Sequence, residues 1–157
     1  MNTPQHRLPN LPCLCASFRR ASRALSAFYD EALRPLGLHT TQFTVLQALS
    51  IAGEVTQGRL GEILAMDSTT LTRTLAIMRQ RRWIETRRGR DARERLLKLS
   101  KTGREELDRA SPAWQAVQDA LHSKLGDERW GEMFRQTGEI TSAVNRAMIF
   151  GAKGEAL

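Results

Sequence analysis

The sequence predicts a mainly α-helical fold with one short β-hairpin near its middle. Apolar residues recur at spacings of three and four at both ends of the 157-residue chain, which is typical of amphipathic helices. Two shorter helical segments joined by a tight turn lie between these ends, and an arginine-rich segment with central turn-forming residues follows them. The hydrophobic content of 41% is sufficient for a core without disulfides.

The N-terminal region is expected to form a loose arm and one long helix. Its first twelve residues contain three prolines and little periodicity. The helix begins near Cys13 and ends at Pro35 and Gly37, because these two residue types interrupt helical backbone. Its apolar stripe comprises Cys15, Phe18, Ser22, Leu25, Tyr29, Ala32 and Leu36, while Arg19, Arg20 and Arg23 face elsewhere.

The next three helices are shorter. We expect Thr40, Thr56 and Asp67 to cap them, since each precedes an apolar periodic segment. The residues predicted to face the core are Phe43, Leu46, Leu49 and Ile51, then Leu60, Ile63 and Leu64, and finally Leu71, Leu75 and Met78. Because the turn at Ala65–Asp67 is so short, the last two of these helices are predicted to form a helix-turn-helix.

A β-hairpin is predicted directly after this unit. Trp83–Arg88 and Arg95–Leu99 have the character of short strands, and the segment 89–92 between them (Gly-Arg-Asp-Ala) suits a hairpin tip. Five arginines make this hairpin a poor core element: Arg87, Arg88, Arg90, Arg93 and Arg95. The expected architecture is therefore a winged helix-turn-helix with the hairpin as its wing.

Two further helices are predicted at the C-terminal end. Ser100 caps the first, Pro112 kinks it, and Gly126 separates it from the second. Together with the N-terminal helix they carry apolar stripes that the middle module does not cover, so we expect a homodimer. The predicted organisation is an arm and first dimerisation helix over 1–36, a winged module over 37–100 and C-terminal dimerisation helices over 101–157, all in one compact chain.

Positive charge is concentrated in one segment. The chain carries a net charge of +7, yet residues 73–104 alone hold twelve Arg or Lys against three acidic residues, so the remainder is slightly acidic. Such a segment is suited to neutralising phosphates and releasing their counterions. The alternative is a solvated basic face without a ligand.

Several function classes find no support in the sequence. There is no Gly-rich phosphate loop, nucleophile elbow or plausible carboxylate pair, so we expect no enzyme activity. Cys13, Cys15 and the three histidines lack zinc-ligand spacing, and we expect neither a metal nor another cofactor. No apolar run is long enough to span a bilayer, which favours a cytoplasmic protein that does not use a membrane.

Three segments in order resemble the MarR family of transcriptional regulators. Residues 38–46 (LHTTQFTVL) look like the start of the family's second helix, and residues 67–73 (DSTTLTR) look like the start of its recognition helix. Asp91-Ala92-Arg93 followed by residues 99–103 (LSKTG) is similar to the wing and the start of the fifth helix. The chain departs from the family pattern at Arg82, where glycine is usual, and at His39, where threonine is usual.

The resemblance implies a sequence-specific regulator of a pseudo-palindromic operator in double-stranded DNA, acting as a repressor that a small, aromatic effector releases. The fourth helix would enter the major groove and the wing the minor groove. The predicted DNA-binding residues are Ser68, Thr69, Thr70, Thr72, Arg73 and Arg79 of the helix and Arg88, Arg90 and Arg93 of the wing, with Asp91 orienting an arginine. Within the wing, Arg87, Arg88, Arg95 and Lys98 are expected to anchor on the DNA backbone. The alternative is that the hydroxyls only cap the helix and Arg73 is solvated.

Two other functions remain open at this point. Cys15, with Tyr29 later on the same helix, is similar to the redox switch of the organic-hydroperoxide-sensing branch, although Arg19 stands where that branch has a tyrosine. Cys15 would then be a thiol-based peroxide sensor, and otherwise a small buried hydrophobe. The third alternative is an architectural nucleic-acid-binding protein without sequence preference.

Overall fold

The mainly α-helical fold with a small β wing is confirmed in a computed structural model, which describes residues 12–89 and 94–151, without the side chains of residues 145 and 147–151. The N-terminal arm and the predicted site residues Arg90, Asp91 and Arg93 lie outside the described residues. In the described part, the helices are α1 Leu14–Leu33, α2 Thr40–Ala52, α3 Gln57–Leu64, α4 Ser68–Gln80, α5 Lys101–Leu125 and α6 Asp127–Gly151, and the strands are β1 Val55–Thr56, β2 Ile84–Arg88 and β3 Arg95–Leu99.

A three-stranded antiparallel sheet, with strand order β1-β3-β2, replaces the two-stranded hairpin predicted from the sequence. Ile84 faces Leu99 in the pairing of β2 with β3, and Val55 faces Leu97 in the pairing of β1 with β3. Strand β1 has only two residues, so it has no periodicity that a sequence pattern could reveal. It ties the segment before α3 to the base of the wing.

One hydrophobic core holds this module together. It joins residues from α1 to α5 and the sheet, including Leu33, Phe43, Leu60, Leu97 and Leu107. As predicted, α4 buries Leu71, Leu75 and Met78. The prediction was wrong for Ile51, which is 88% exposed, and Ile63, which is 44% exposed. Ile51 follows the buried Leu49 by two residues, which places it on the opposite side of the helix.

Local hydrogen bonds determine where several helices begin. Thr56 caps α3 by accepting the Arg59 amide at 3.1 Å, and Ser100 accepts the Gly103 amide at 2.9 Å at the start of α5. These two predicted caps are confirmed. The predicted Thr40 cap is wrong, because α2 begins at Thr40 itself and His39 is its N-cap residue.

Thr40 instead joins α2 to α1. Its amide and hydroxyl donate to Asp30 Oδ1 at 2.6 and 2.7 Å. Burial raises the pKa of Asp30, but the two hydrogen bonds from Thr40 and the charge of His39 outweigh it, so the pKa lies below its usual value. The pair therefore fixes the start of α2 against the preceding helix.

The turn after α4 has a left-handed residue at Arg82, with φ of 59°. The Trp83 amide donates to Met78 O at 2.9 Å and so closes the helix end. Glycine adopts this conformation without steric cost, whereas arginine does not, so the turn at Arg82 is strained.

The chain divides into two compact units, one ending at Gln115 and the other beginning at Ala116. The first unit contains the hydrophobic core described above. In the second unit, His122 Nε2 lies 2.8 Å from Asp127 Oδ1, and the Trp130 ring contacts both His122 and Phe134. Among the described residues, no helix combines the length and apolar character that crossing a membrane requires.

Candidate nucleic-acid interface

Helix α4 presents a polar outer face to solvent. Its apolar stripe is buried. Because a helix has about 3.6 residues per turn, the residues between those of the stripe lie on the opposite side and face outward. The predicted residues on that side are all exposed: Ser68, Thr69, Thr70, Thr72, Arg73 and Arg79. The outer face therefore carries hydroxyl and guanidinium groups on an α-helix, and the major groove is wide enough to admit an α-helix.

Asp67 caps α4 as predicted. Its Oδ1 accepts the Thr70 amide at 2.9 Å, and its Oδ2 accepts the Thr70 hydroxyl at 2.6 Å. Hydrogen bonds from the Thr70 side chain and amide lower the pKa of Asp67. Thr70 thus belongs to the cap, whereas the Ser68 and Thr69 side chains make no hydrogen bond to another described residue. The reading in which all these hydroxyls serve only as caps does not fit Ser68 and Thr69.

We expect removal of the Asp67 cap to destabilise the protein to an extent that depends on pH. Asp67→Ala is expected to lower the midpoint of thermal unfolding at pH 7, whereas Asp67→Asn keeps it close to the unmodified protein, because asparagine caps equally well. The folded-state pKa of Asp67 lies below the unfolded value, so its contribution is present above the unfolded pKa and is lost as the pH falls through the folded pKa. As the pH is lowered from 7 to 2, the midpoint of thermal unfolding of the unmodified protein should therefore approach that of Asp67→Ala. Parallel curves for all three proteins would contradict this account.

Gln57, at the first position of α3, is a neighbour of this face that the sequence did not reveal. Its Nε2 donates to Thr72 Oγ1 at 2.9 Å, across fifteen residues of sequence. The sequence contains no local signal for such a contact, since it depends on how α3 and α4 pack. Ser68, Thr69, Thr72 and Arg73 line a shallow cavity of about 320 Å³ beside it.

The described part of the wing places two arginines opposite each other. Arg88 and Arg95 are directly paired across β2 and β3, and both side chains are exposed. Like charges in direct cross-strand register repel each other. An external anion such as a phosphate would relieve this repulsion, so the end of the sheet nearest the wing tip is suited to binding one.

Two other cations at the base of the wing are already neutralised. Arg87 forms a two-pronged ion pair with the carboxylate of Glu54, and Lys98 Nζ lies 3.1 Å from Glu85 Oε2. The hydrogen bonds from Arg87 lower the pKa of Glu54. Arg87 spans from one outer strand of the sheet, β2, to the residue that precedes the other, β1, so it braces the wing against the segment leading into α3. The sequence does not predict either pairing, and the expectation from the sequence is that both cations contact the DNA backbone.

Comparison with known proteins identifies the family. The MarR family model matches residues 36–94. The transcriptional regulator MosR of M. tuberculosis, in a crystal structure in complex with DNA, is 36% identical to this chain. The two structures superpose with a TM-score of 0.77, and the match covers 86% of this chain and 98% of MosR.

The chain belongs to the MarR family.

More distant relatives agree with this assignment. The HTH-type transcriptional regulator YwoH of Bacillus subtilis, described as uncharacterized, is 27% identical over 115 residues, which is 73% of this chain and 84% of YwoH. A mutant MarR from E. coli complexed with operator DNA has a TM-score of 0.74 at 22% identity, covering 81% of this chain and 92% of that chain, and shows the same fold. MosR and YwoH are transcriptional regulators rather than enzymes, in agreement with the non-enzymatic role expected from the sequence.

The family assignment gives the strained turn at Arg82 and the outer face of α4 a common setting. Both belong to the matched region, which includes α2 to α4 and β2. Within this MarR-type module, the described residues hold no cluster of three or more histidine, cysteine, aspartate or glutamate side chains arranged to hold a metal ion.

Cys13 and Cys15 lie at the start of α1. Both are free and exposed in the single chain, so the interpretation of Cys15 as a small buried hydrophobe does not describe it there. Tyr29, on the same helix, is partly buried, and burial raises the pKa of its hydroxyl. Arg19, which stands where the peroxide-sensing branch has its tyrosine, is exposed.

Proposed function

We propose that this protein is a homodimeric, cytoplasmic transcriptional repressor that binds a pseudo-palindromic operator in double-stranded DNA and is released by a small aromatic effector. Its recognition helix is α4, which reads the major groove through Ser68, Thr69, Thr72 and Arg73. The wing, with Arg88 described and Arg90, Asp91 and Arg93 beyond the described residues, follows the neighbouring minor groove. Arg79 and Thr70 flank the reading surface.

The observation that carries this proposal is the two-sided character of α4. Its inner side is anchored in the core by Leu71, Leu75 and Met78, which are at most 2% exposed, so the helix is a rigid support. Its outer side holds exposed hydroxyl and guanidinium groups, which are the groups that bind base edges. The crystal structure of MosR in complex with DNA supports DNA as the partner of this chain too.

Uncovered apolar faces on both terminal helices support a dimer. Several large apolar side chains are substantially exposed in the single chain: Phe18, Leu25 and Phe28 on α1 and Met133, Phe134 and Val144 on α6. Apolar helix faces of this kind are ordinarily covered, and a second copy of the same chain would cover both sets and produce a two-fold symmetric reader. Sedimentation equilibrium should give twice the chain mass of 17.7 kDa.

The proposed specificity is tested by competition. Duplexes enriched from a random pool are titrated with the protein while unrelated duplex is present in excess. We expect a preference of at least about 10³ for the enriched sequence, which is the lower range for specific regulators. Equal affinities would instead establish the architectural alternative, because that function has the same basic surface without base recognition.

The salt dependence of binding distinguishes free from neutralised wing cations. Because Glu54 already neutralises Arg87, Arg87→Met is expected to leave the slope of log Kobs against log salt concentration unchanged. Glu54→Gln frees Arg87, so the slope should become steeper by about 0.9, the value for one additional phosphate contact. Arg88→Met is the matched control and should make the slope shallower by a similar amount. A shallower slope for Arg87→Met would show that Arg87 binds DNA in spite of its ion pair.

The exposed thiol of Cys15 favours a second candidate, peroxide sensing. In this case oxidation of Cys15 would release the DNA, with or without an aromatic effector. Peroxide should then abolish operator binding by the unmodified protein but not by Cys15→Ser. Equal release of both proteins would exclude Cys15 as the switch.

A further inference from the structure

The hydrogen bond between Gln57 and Thr72 joins the two helices of the helix-turn-helix on their exposed side. Gln57 is the first residue of α3, and its neighbour Thr56 caps that helix. Thr72 lies within the outer face of α4, directly before Arg73. Both helices are anchored beneath this contact, α3 by the fully buried Leu60 and α4 by Leu71. The donor and the acceptor are therefore held by rigid elements rather than by loops.

The direction of this bond determines which hydrogen-bonding groups of the Thr72 hydroxyl remain available. A hydroxyl group has one proton and two acceptor lone pairs. The Gln57 amide nitrogen donates to Thr72 Oγ1 and so occupies one lone pair, while the hydroxyl proton must point elsewhere. Threonine in a helix often donates this proton to the carbonyl four residues earlier, as Thr74 does to Thr70 O at 2.9 Å. No such bond from Thr72 is present among the described residues.

We propose that Gln57 is a positioning residue that makes Thr72 a hydrogen-bond donor towards the DNA bases. This inference rests on the proposed function of α4 as the recognition helix. A donor in the major groove pairs with the acceptors guanine N7 and O6, adenine N7 or thymine O4, and it does not pair with the amino group of cytosine. One lone pair of Thr72 stays free, so Gln57 favours a base with an acceptor at one operator position rather than excluding cytosine. It acts through Thr72 and does not change the net charge of the protein.

A double-mutant cycle tests this coupling. The proteins are the unmodified chain, Gln57→Ala, Thr72→Val and the double variant, with Thr72→Ser as the matched control that keeps the hydroxyl. Each is titrated against enriched duplexes in which every base pair of one half-site is changed in turn. A second duplex series replaces individual purines with their 7-deaza analogues, which lack the N7 acceptor.

We expect both single variants to lose about five- to tenfold in discrimination at the same operator position, with no change elsewhere, which is the lower range for a base-pair mismatch. The double variant should lose no more than either single variant, Thr72→Ser should retain the discrimination, and the salt slope should be the same for all. Gln57→Glu provides an independent variant, because a carboxylate cannot donate and would accept the Thr72 proton. Its discrimination at that position should be lost as well.

Additive losses in the double variant would overturn the inference, since Gln57 would then contact DNA on its own. Unchanged discrimination in Gln57→Ala and Gln57→Glu would also overturn it, while leaving the proposed function intact. If the unmodified protein showed no base preference at any position, the proposed function itself would fail. The two failures are therefore distinguished by the unmodified protein alone.

Discussion

Replacing Arg73 with alanine is expected to reduce the preference for operator DNA over unrelated DNA by about five- to 150-fold. Arg73 is exposed on the outer face of α4, beside the hydroxyls of Thr69 and Thr72. An arginine can hold guanine through two hydrogen bonds, and the loss of such a contact costs about 1–3 kcal/mol. Affinities for an enriched duplex and a scrambled duplex of the same composition, measured side by side, give the loss of specificity directly.

The matched control is Arg129→Ala, which removes an exposed arginine from the second compact unit. We expect this variant to bind both duplexes as the unmodified protein does. If Arg73→Ala instead weakened both duplexes equally, Arg73 would contact phosphate and not bases. No change with either duplex would remove Arg73 from the interface.

Gly103→Ala is expected to cause a large loss of stability. A Cβ at this position would overlap the carbonyl oxygen of Trp83 and lie 2.9 Å from its carbonyl carbon. The Trp83 backbone cannot move freely, because its carbonyl accepts the Ser100 amide at 3.0 Å and its side chain is buried. Overpacking of a rigid site costs about 1–3 kcal/mol, and this site falls at the upper end.

Chemical denaturation measures this difference, and Gly58→Ala is its control. Gly58 also lies in a helix, yet a Cβ there meets no atom within 4 Å, so alanine should be neutral or slightly stabilising. Since Gly103 holds the start of α5 against the strand that leads into the wing, Gly103→Ala should weaken operator binding as well. Equal stability of the two variants would contradict the close approach.

Features decided by neighbouring residues could be predicted from the sequence. The caps at Thr56, Asp67 and Ser100 each use an acceptor three residues before its donor, so a short pattern contains both partners. The buried stripe of α4 follows from helical periodicity for the same reason. Thr40 was misassigned as a cap because its hydroxyl has a partner on another helix, Asp30, ten residues away.

Features decided by tertiary packing could not be predicted. Arg87 and Glu54 are 33 residues apart in sequence, and Gln57 and Thr72 are 15 apart, so their pairing depends on how the sheet and the two helices fold together. The sequence therefore identified basic and hydroxyl residues as candidates without separating the free ones from those with a protein partner. For the candidate site, this separation is what the structure adds: Arg73 and Arg88 remain exposed, while Arg87 is neutralised and Thr70 serves the cap.

Methylation protection of the operator decides whether α4 and the wing of one protomer together hold one half-site. Dimethyl sulfate modifies guanine N7 in the major groove and adenine N3 in the minor groove, so one experiment on an enriched duplex reports both grooves. We expect two symmetric sets of major-groove protection about one helical turn apart, each flanked by minor-groove protection, because the dimer is proposed to bind DNA with two-fold symmetry. Protection confined to one groove, or without two-fold symmetry, would contradict it.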